Sequence, residues 1–293
     1  GCGYVGRQVA KVWQAANRAA TSKVAALTRG DEQQISALTE AGIEPVVGDW
    51  LDASGDWTLP SARYALVSVP HRPDEHFGVR THCVGLANIV ARLPSLERLV
   101  VLSTTGVYHQ SNGEWVDESS PTQPTRIGPQ IALAAEQWLT EHLPNVRATA
   151  LRLAGIYGPG RIPLIGKLRA HEVMPVADGD LNLIHVDDIA QAVIRLLAHP
   201  SPHRLYVLSD GHPVARRTFY EDASRIFGTP APNFVAPEPG SSRAGRSESN
   251  KRIRPQRIMN DLALRLKYPD HMAGLTAIAA ADTAAAASTP RES

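Results

Sequence analysis

Apolar residues recur in two alternating rhythms along the first two-thirds of the chain. Val5, Val9, Val12, Trp13 and Ala16 fall at helical spacing and predict a helix over 5–17. The run Lys-Val-Ala-Ala-Leu-Thr at 23–28 has the length and content of a buried strand. A helix over 32–41 follows, closed by Gly42, a favoured residue just past a helix end. Strands are predicted over 44–48 and 64–69, the second stopped by Pro70, then a helix over 77–92. The apolar run Arg-Leu-Val-Val-Leu-Ser makes 98–103 a strand, and 132–142 reads as a helix, 147–153 as a strand and 186–199 as a helix. Strands that alternate with helices predict an α/β fold: a doubly wound, Rossmann-like parallel sheet with helices on both faces. In such sheets ligands lie across the carboxyl ends of the strands.

From about Ile162 the alternation loosens. A strand at 205–208, a helix near 217–227 and a Pro/Gly/Ser/Arg stretch over 229–245 suggest a small C-terminal lobe interleaved with the last part of the sheet. The division expected is 1–161 for the main domain, 162–275 for the lobe and 276–293 for a tail. The tail is mostly alanine with no apolar face to bury, and is expected to be disordered.

Immediately ahead of the first helix stands Gly1-Cys2-Gly3-Tyr4-Val5-Gly6. Glycines at Gly1, Gly3 and Gly6 let the backbone approach a pyrophosphate, and Tyr4 and Val5 open the helix whose N-terminus attracts it. Glycines also occur in plain tight turns. The amphipathic helix that follows, and the strand beyond it, favour a dinucleotide-binding domain over 1–161. Such a turn normally leaves a buried strand, yet nothing precedes Gly1 and there is no initiator Met. The reading therefore expects a first strand missing from this chain, and an apolar run of about five residues upstream.

Each later strand end offers candidate chemistry. Thr28-Arg29-Gly30, with Asp31 set back, places a guanidinium where an adenosine 2′-phosphate would lie. This favours NADP(H), while Asp31 keeps NAD(H) open. Asp49, in Gly48-Asp49-Trp50, either accepts from an adenine amino group or caps the next segment. Ser68, Val69 and Pro70 would line the cofactor through their backbone. Ser103-Thr104-Thr105-Gly106-Val107-Tyr108 brings hydroxyls to the site, unless they serve local turns. Leu-Arg-Leu-Ala-Gly-Ile-Tyr-Gly-Pro-Gly-Arg spans 151–161. Asn182-Leu183-Ile184-His185-Val186-Asp187-Asp188 opens a helix that Asp187 or Asp188 is suited to cap.

The net charge of +1 removes any field that would draw a nucleic acid, and no apolar run approaches a membrane span. Cys2 and Cys83 make neither a metal cluster nor a disulfide framework, which suits a reducing cytoplasm. No metal is expected.

Taken in order, Gly-Tyr-Val-Gly, Ser-Thr-Thr-Gly-Val-Tyr, the 151–161 segment and Ile-His-Val-Asp-Asp-Ile-Ala resemble an extended short-chain dehydrogenase/reductase of the NAD(P)-dependent epimerase/dehydratase family. The likeness covers roughly Gly1 to Leu275. Ser-Asp-Gly-His-Pro at 209–213, Asn-Lys-Arg-Ile at 250–253 and Tyr-Pro-Asp at 268–270 resemble an atypical bacterial branch. The resemblance implies cofactor contacts that include Trp50, Ser103 and Arg152, substrate contacts at Arg161, Asn182 and His185, and a homodimer paired through two long helices. It implies a Thr104 hydroxyl that orients a substrate oxygen. It also implies a Tyr and a Lys four residues apart, and here this chain departs. The matching positions are Gly128 and Ala132, which move no proton. Either the acid/base has relocated, with Tyr108, Tyr157 and His185 the candidates by position, or the chain binds a dinucleotide without turnover, as a sensor or scaffold. The first reading is an oxidoreductase or epimerase/dehydratase-like enzyme for a small molecule such as a sugar nucleotide.

Overall fold

The computed structural model describes residues 1–16, 23–72, 77–144, 147–176, 178–238 and 250–288. In chain order the elements of the first half are α1 (Tyr4–Ala16), β1 (Ala25–Thr28), α2 (Glu32–Glu40), β2 (Glu44–Val47), β3 (Tyr64–Val67), α3 (Thr81–Ala91), β4 (Arg98–Thr104), β5 (Glu114–Val116), α4 (Ile127–His142) and β6 (Arg147–Leu153). They continue as β7 (Gly155–Tyr157), α5 (Ile165–Arg169), β8 (Val173–Pro175), β9 (Asp180–Leu181), β10 (Leu183–His185), α6 (Val186–Ala198) and β11 (Leu205–Leu208). The chain ends with β12 (Val214–Ala215), α7 (Arg216–Phe227), β13 (Asn233–Val235), β14 (Lys251–Ile253), α8 (Gln256–Asp261) and α9 (His271–Ser288).

Four parallel strands in the order β11-β6-β4-β3 form the central sheet. β4 reads as a continuous apolar run because it is covered on both sides. Val100 packs with α1 and α6 through Val5, Val9, Ile189 and Val193, whereas Leu99 and Val101 pack with α3 and α4 through Leu86, Ile89, Ala135 and Leu139. β1 and β2 pair in parallel as a separate ribbon, and among the described residues they share no ladder with β3. A cavity of about 1160 Å³ lies between the two, lined on one side by Ala25–Thr28 and on the other by Tyr64–Val67.

Two predicted elements differ in extent. α4 begins at Ile127, ahead of the predicted 132. Pro129 lies in the first turn, where its missing N–H costs the helix nothing. The alanine-rich stretch predicted as a disordered tail is instead helical as far as Ser288. Its first turns bury Leu275 and Ile278 against Phe219 and Tyr220 in the lobe, and alanine, the best helix former, carries the helix onward. Residues 239–249 of the Pro/Gly/Ser/Arg stretch and 289–293 of the tail lie outside the described residues.

One polar network crosses this core. The Arg152 guanidinium on β6 forks onto both carboxylate oxygens of Glu136 on α4, its Nε reaching Oε1 at 3.0 Å and its Nη2 reaching Oε2 at 2.6 Å. Their side chains are 4% and 9% exposed. Ser103 on β4 donates to Glu136 Oε1, and Arg152 Nη1 donates to the Tyr108 hydroxyl at 2.7 Å. That hydroxyl in turn donates to the Asp117 carbonyl at 2.6 Å. A buried pair of this kind is costly to break from one side, because the remaining charge loses its partner. Glu136→Ala is expected to lower stability by about 3–5 kcal/mol in urea unfolding. The double change Glu136→Leu with Arg152→Met should cost much less than that single change.

Candidate functional site

The cavity beside β1 and β3 extends to the strand ends and gathers most of the predicted cofactor residues. Gly1, Gly3, Gly6, Thr28, Arg29, Asp49, Trp50, Ser68, Val69 and Pro70 all line it. A Cβ built on Gly1 would touch Val69 Cγ2 at 3.4 Å, so the glycine turn sits directly against the end of β3. Val5 is buried under the turn in the α1–α6 core. Arg29 stands exposed just past β1. The Asp31 carboxylate accepts from Gln34 N at 2.8 Å and caps α2, so the nearby acid is engaged locally. Asp49 also makes a local turn, accepting from Leu51 N at 2.9 Å. Trp50 is a core residue as well: its ring packs edge-on to His82, and its carbonyl accepts from Asn88 Nδ2 at 2.8 Å. The glycine turn, the helix N-terminus and the open wall beyond Gly3 fit a dinucleotide diphosphate.

Tyr4 and Arg161 meet away from that cavity. The Tyr4 hydroxyl donates to the Pro159 carbonyl at 3.0 Å, and the Arg161 guanidinium lies 5.4 Å from the Tyr4 ring centre. Gly158 has φ 156°, and a Cβ there would lie 2.5 Å from the Tyr4 hydroxyl oxygen. Only glycine admits this close approach of α1 to the 158–161 turn.

A second group of side chains assembles at the end of β4. Thr104 Oγ1 accepts from Gly106 N at 3.0 Å. The Arg126 guanidinium approaches the same turn: Arg126 Nη2 and Thr104 Oγ1 each lie 3.2 Å from the position a Cβ on Gly106 would take. Gly128, which occupies the place of the expected Tyr, faces His71, whose Cδ2 lies 3.8 Å from a Cβ built on Gly128. Sequence reasoning passed over both His71 and Arg126. The signal for His71 was its position directly after Pro70 at the end of β3.

Residues 1–208 match the NAD dependent epimerase/dehydratase family. The chain belongs to it. Protein YeeZ of Escherichia coli K12 is 33% identical over 176 residues, a match that spans 60% of this chain and 60% of YeeZ. A functionally unknown conserved protein from Silicibacter pomeroyi has a solved structure with a TM-score of 0.81 and 29% identity, covering 96% of each chain. The UDP-glucose 4-epimerase of Corynebacterium glutamicum is 25% identical over 279 residues, 81% of this chain and 82% of that enzyme.

Within this epimerase/dehydratase framework the two predicted tyrosines are packed inside. Tyr108 is 1% exposed, and burial pushes its phenol up to about 12 despite Arg152 beside it. Tyr157 is fully buried, donates to the Asp270 carbonyl at 3.2 Å, and is likewise raised, by burial and then by nearby carboxylates. Ser103 and Arg152 belong to the buried network under α4. Asn182 clamps β14, its Nδ2 donating to the Lys251 carbonyl and its Oδ1 accepting from Ile253 N.

His185 caps α6, a role expected of Asp187 or Asp188: its Nδ1 accepts from Asp187 N at 3.2 Å. The two acids tie the helix to its surroundings. Asp187 accepts from Gln8 and Lys267 side chains, and Asp188 from the backbone N–H groups of Lys267 and Tyr268. Burial lowers the His185 imidazole to about 4, so it is neutral at pH 7. Among the described residues no cluster of three or more His, Cys, Asp or Glu is placed to hold a metal ion. No helix there is long and apolar enough to cross a membrane.

Asp210 lies in the same buried region. Its Oδ1 accepts from His212 N at 2.9 Å, while Oδ2 is buried with no hydrogen-bond partner. Burial pushes this carboxyl from 3.8 up to about 7. Between those values the folded chain keeps a proton that the unfolded chain has lost, so stability falls as pH rises from about 4 to 7. Asp210→Asn keeps the bond to His212 and removes the charge. It is expected to raise unfolding free energy at pH 8 by roughly 1–3 kcal/mol and to leave it nearly unchanged at pH 4. Thermal melts across that range measure both.

Proposed function

We propose that this chain is an NADP(H)-preferring oxidoreductase of the epimerase/dehydratase type, acting on a small-molecule alcohol or carbonyl. The observation that carries the reading is convergence. The glycine turn, Arg29 and the Ser68–Pro70 strand end all border one cavity. Arg29 suits a 2′-phosphate because its guanidinium is exposed at the end of β1, and Asp31 is occupied in capping α2. A bound nicotinamide supplies or takes the hydride. The protein's part is to hold the substrate oxygen and move its proton.

Thr104 is the residue we assign to the substrate oxygen, its hydroxyl standing at the carboxyl end of the central strand. For the proton we assign His71, which faces the space over Gly128. An imidazole needs no neighbouring lysine to exchange a proton near neutral pH, whereas a phenol does. Tyr108, Tyr157 and His185 then serve as packing and capping residues that hold the strand ends. Arg161, Asn182, Ser103 and Arg152 act by positioning. The relation to UDP-glucose 4-epimerase makes sugar nucleotides the first substrates to try. Cys2 and Cys83 are buried free thiols, in keeping with a reducing cytoplasm.

The lack of a Tyr and Lys at Gly128 and Ala132 favours a second reading, a dinucleotide-binding sensor or scaffold without turnover. Spectrophotometric assay of NADPH oxidation over a panel of sugar nucleotides and aldehydes separates the two. Binding without turnover on any member would select the sensor.

Titration with NADPH and NADH tests the cofactor assignment. Arg29→Ala is expected to weaken NADPH binding roughly 10–100-fold and to leave NADH binding nearly unchanged. Equal losses for both would remove the 2′-phosphate role. On a substrate that turns over, His71→Gln should lower kcat by about 10²–10⁴-fold with little change in cofactor Kd. A kcat that stays within a few-fold of the parent would exclude His71 as the proton carrier.

A further inference from the structure

α1 has a cavity on each side. Positions 6, 9, 10 and 13 border the large cavity beside β1 and β3, whereas 4, 7, 8, 11 and 14 border a second cavity of about 580 Å³. The two sets fall on opposite faces of the helix. The far wall of the second cavity comes from Ala41 and Ile43 between α2 and β2, from Pro159 in the 158–161 turn, and from Val186 and Asp187 at the start of α6.

Most polar groups of this wall are already satisfied. Asp187 accepts from Gln8 Nε2 at 2.7 Å and from Lys267 Nζ at 2.9 Å, so the acid here is neutralised within the fold. Gln14 Nε2 donates to the carbonyls of Ala41 and Gly42 at 3.2 and 2.9 Å. The Tyr4 hydroxyl is taken by the Pro159 carbonyl. Arg7 and Lys11 differ: among the described residues neither side chain donates a hydrogen bond or forms an ion pair. Local physics disfavours both. They stand four residues apart, so they share a face and repel. Arg7 closes the first turn, where the helix dipole favours an acid, and α1 contains no acid. An anion between them would relieve both costs. A guanidinium fork matches the paired oxygens of a carboxylate or phosphate, and an ammonium adds a point charge.

A buried donor stands next to the tyrosine of this wall. His185 is 2% exposed; its Nδ1 accepts from Asp187 N, and its Nε2 has no hydrogen-bond partner. Nε2 lies 3.5 Å from the position a Cβ on Gly158 would take, and the Tyr4 hydroxyl oxygen lies 2.5 Å from that same point. Buried polar groups rarely go without a partner, and an acceptor admitted past Tyr4 would supply one.

We propose that the face of α1 turned away from β1 and β3 holds a second ligand site, for an organic anion whose phosphate or carboxylate sits on Arg7 and Lys11. The cavity is larger than a bare anion needs, and Ile43, Pro159 and Val186 give an apolar body something to rest on. The site is separate from the dinucleotide cavity, so the two fill independently.

The test is calorimetric titration of the full chain with phenyl phosphate, benzoate and inorganic phosphate. One saturable site is expected, tighter for an aromatic anion than for inorganic phosphate. Preference for phenyl phosphate marks a phosphorylated ligand, and preference for benzoate a carboxylate. Arg7→Gln and Lys11→Gln should each weaken binding about tenfold. Both side chains are exposed, so the variants leave the core intact. Arg29→Ala should bind the anion as the parent does, and saturating NADPH should leave its affinity within a few-fold. No saturable binding, or unchanged affinity in Lys11→Gln, would overturn the proposal. So would displacement of the anion by NADPH, which would place it at the glycine turn. Failure of NADPH to bind at all would count against the cofactor reading alone, because the comparison of parent and Lys11→Gln needs no cofactor.

Discussion

The Arg152–Glu136 pair is the contact on which the geometry of the site depends. It joins the carboxyl end of β6 to the middle of α4, with Ser103 of β4 bonded to the same carboxylate. Because both charges are almost wholly removed from water, neither tolerates a shift that separates them. The pair therefore holds α4 at a set height on the sheet. The N-terminus of α4 then delivers Gly128 to His71 and Arg126 to the Thr104 turn. A residue predicted to touch the cofactor instead governs where the neighbouring groups stand.

Much of the fold was legible because its signals are local. The runs at 98–103 and 147–153 read as strands, and β4 and β6 extend over 98–104 and 147–153. Amphipathic spacing located α1 and α6 to within about one residue. What failed to show was decided by tertiary contacts. The alanine-rich end looked unable to bury a face, yet Leu275 and Ile278 suffice because α7 supplies the other half of the contact. α4 starts five residues before its predicted bound, because Gly128 and Pro129 fit within a helix's first turn.

The site was legible in part for the same reason. Strand ends can be read from where apolar runs stop, so Arg29, Asp49, Ser68 and their neighbours could be placed at one edge without knowing any contact. The direction of each side chain could not be read. Tyr108 and Tyr157 lie four residues beyond the ends of β4 and β6, and the chain turns them inward to the carbonyls of Asp117 and Asp270. Trp50 and Asp49 were similarly drawn into local packing and turn bonds. Arg126 and Thr104 are 22 positions apart, and no periodicity relates them.

Gly128 in place of a phenol and Arg126 beside Thr104 are linked by electrostatics. A tyrosine acting near neutral pH must have its phenolate stabilised, and the usual arrangement does so with one lysine four residues away on the same helix. Here that helix carries Gly128 and Ala132 at those places, and Ala132 is buried. The positive charge near Thr104 comes from outside the helix, from Arg126 just before it. On the proposed reading, charge in that position would act on the substrate itself. Beside a carbonyl it would stabilise negative charge that develops on oxygen during reduction, and beside an alcohol it would favour loss of the proton. An enzyme built this way needs only a proton carrier of moderate acidity, which is the property an imidazole has and a phenol lacks.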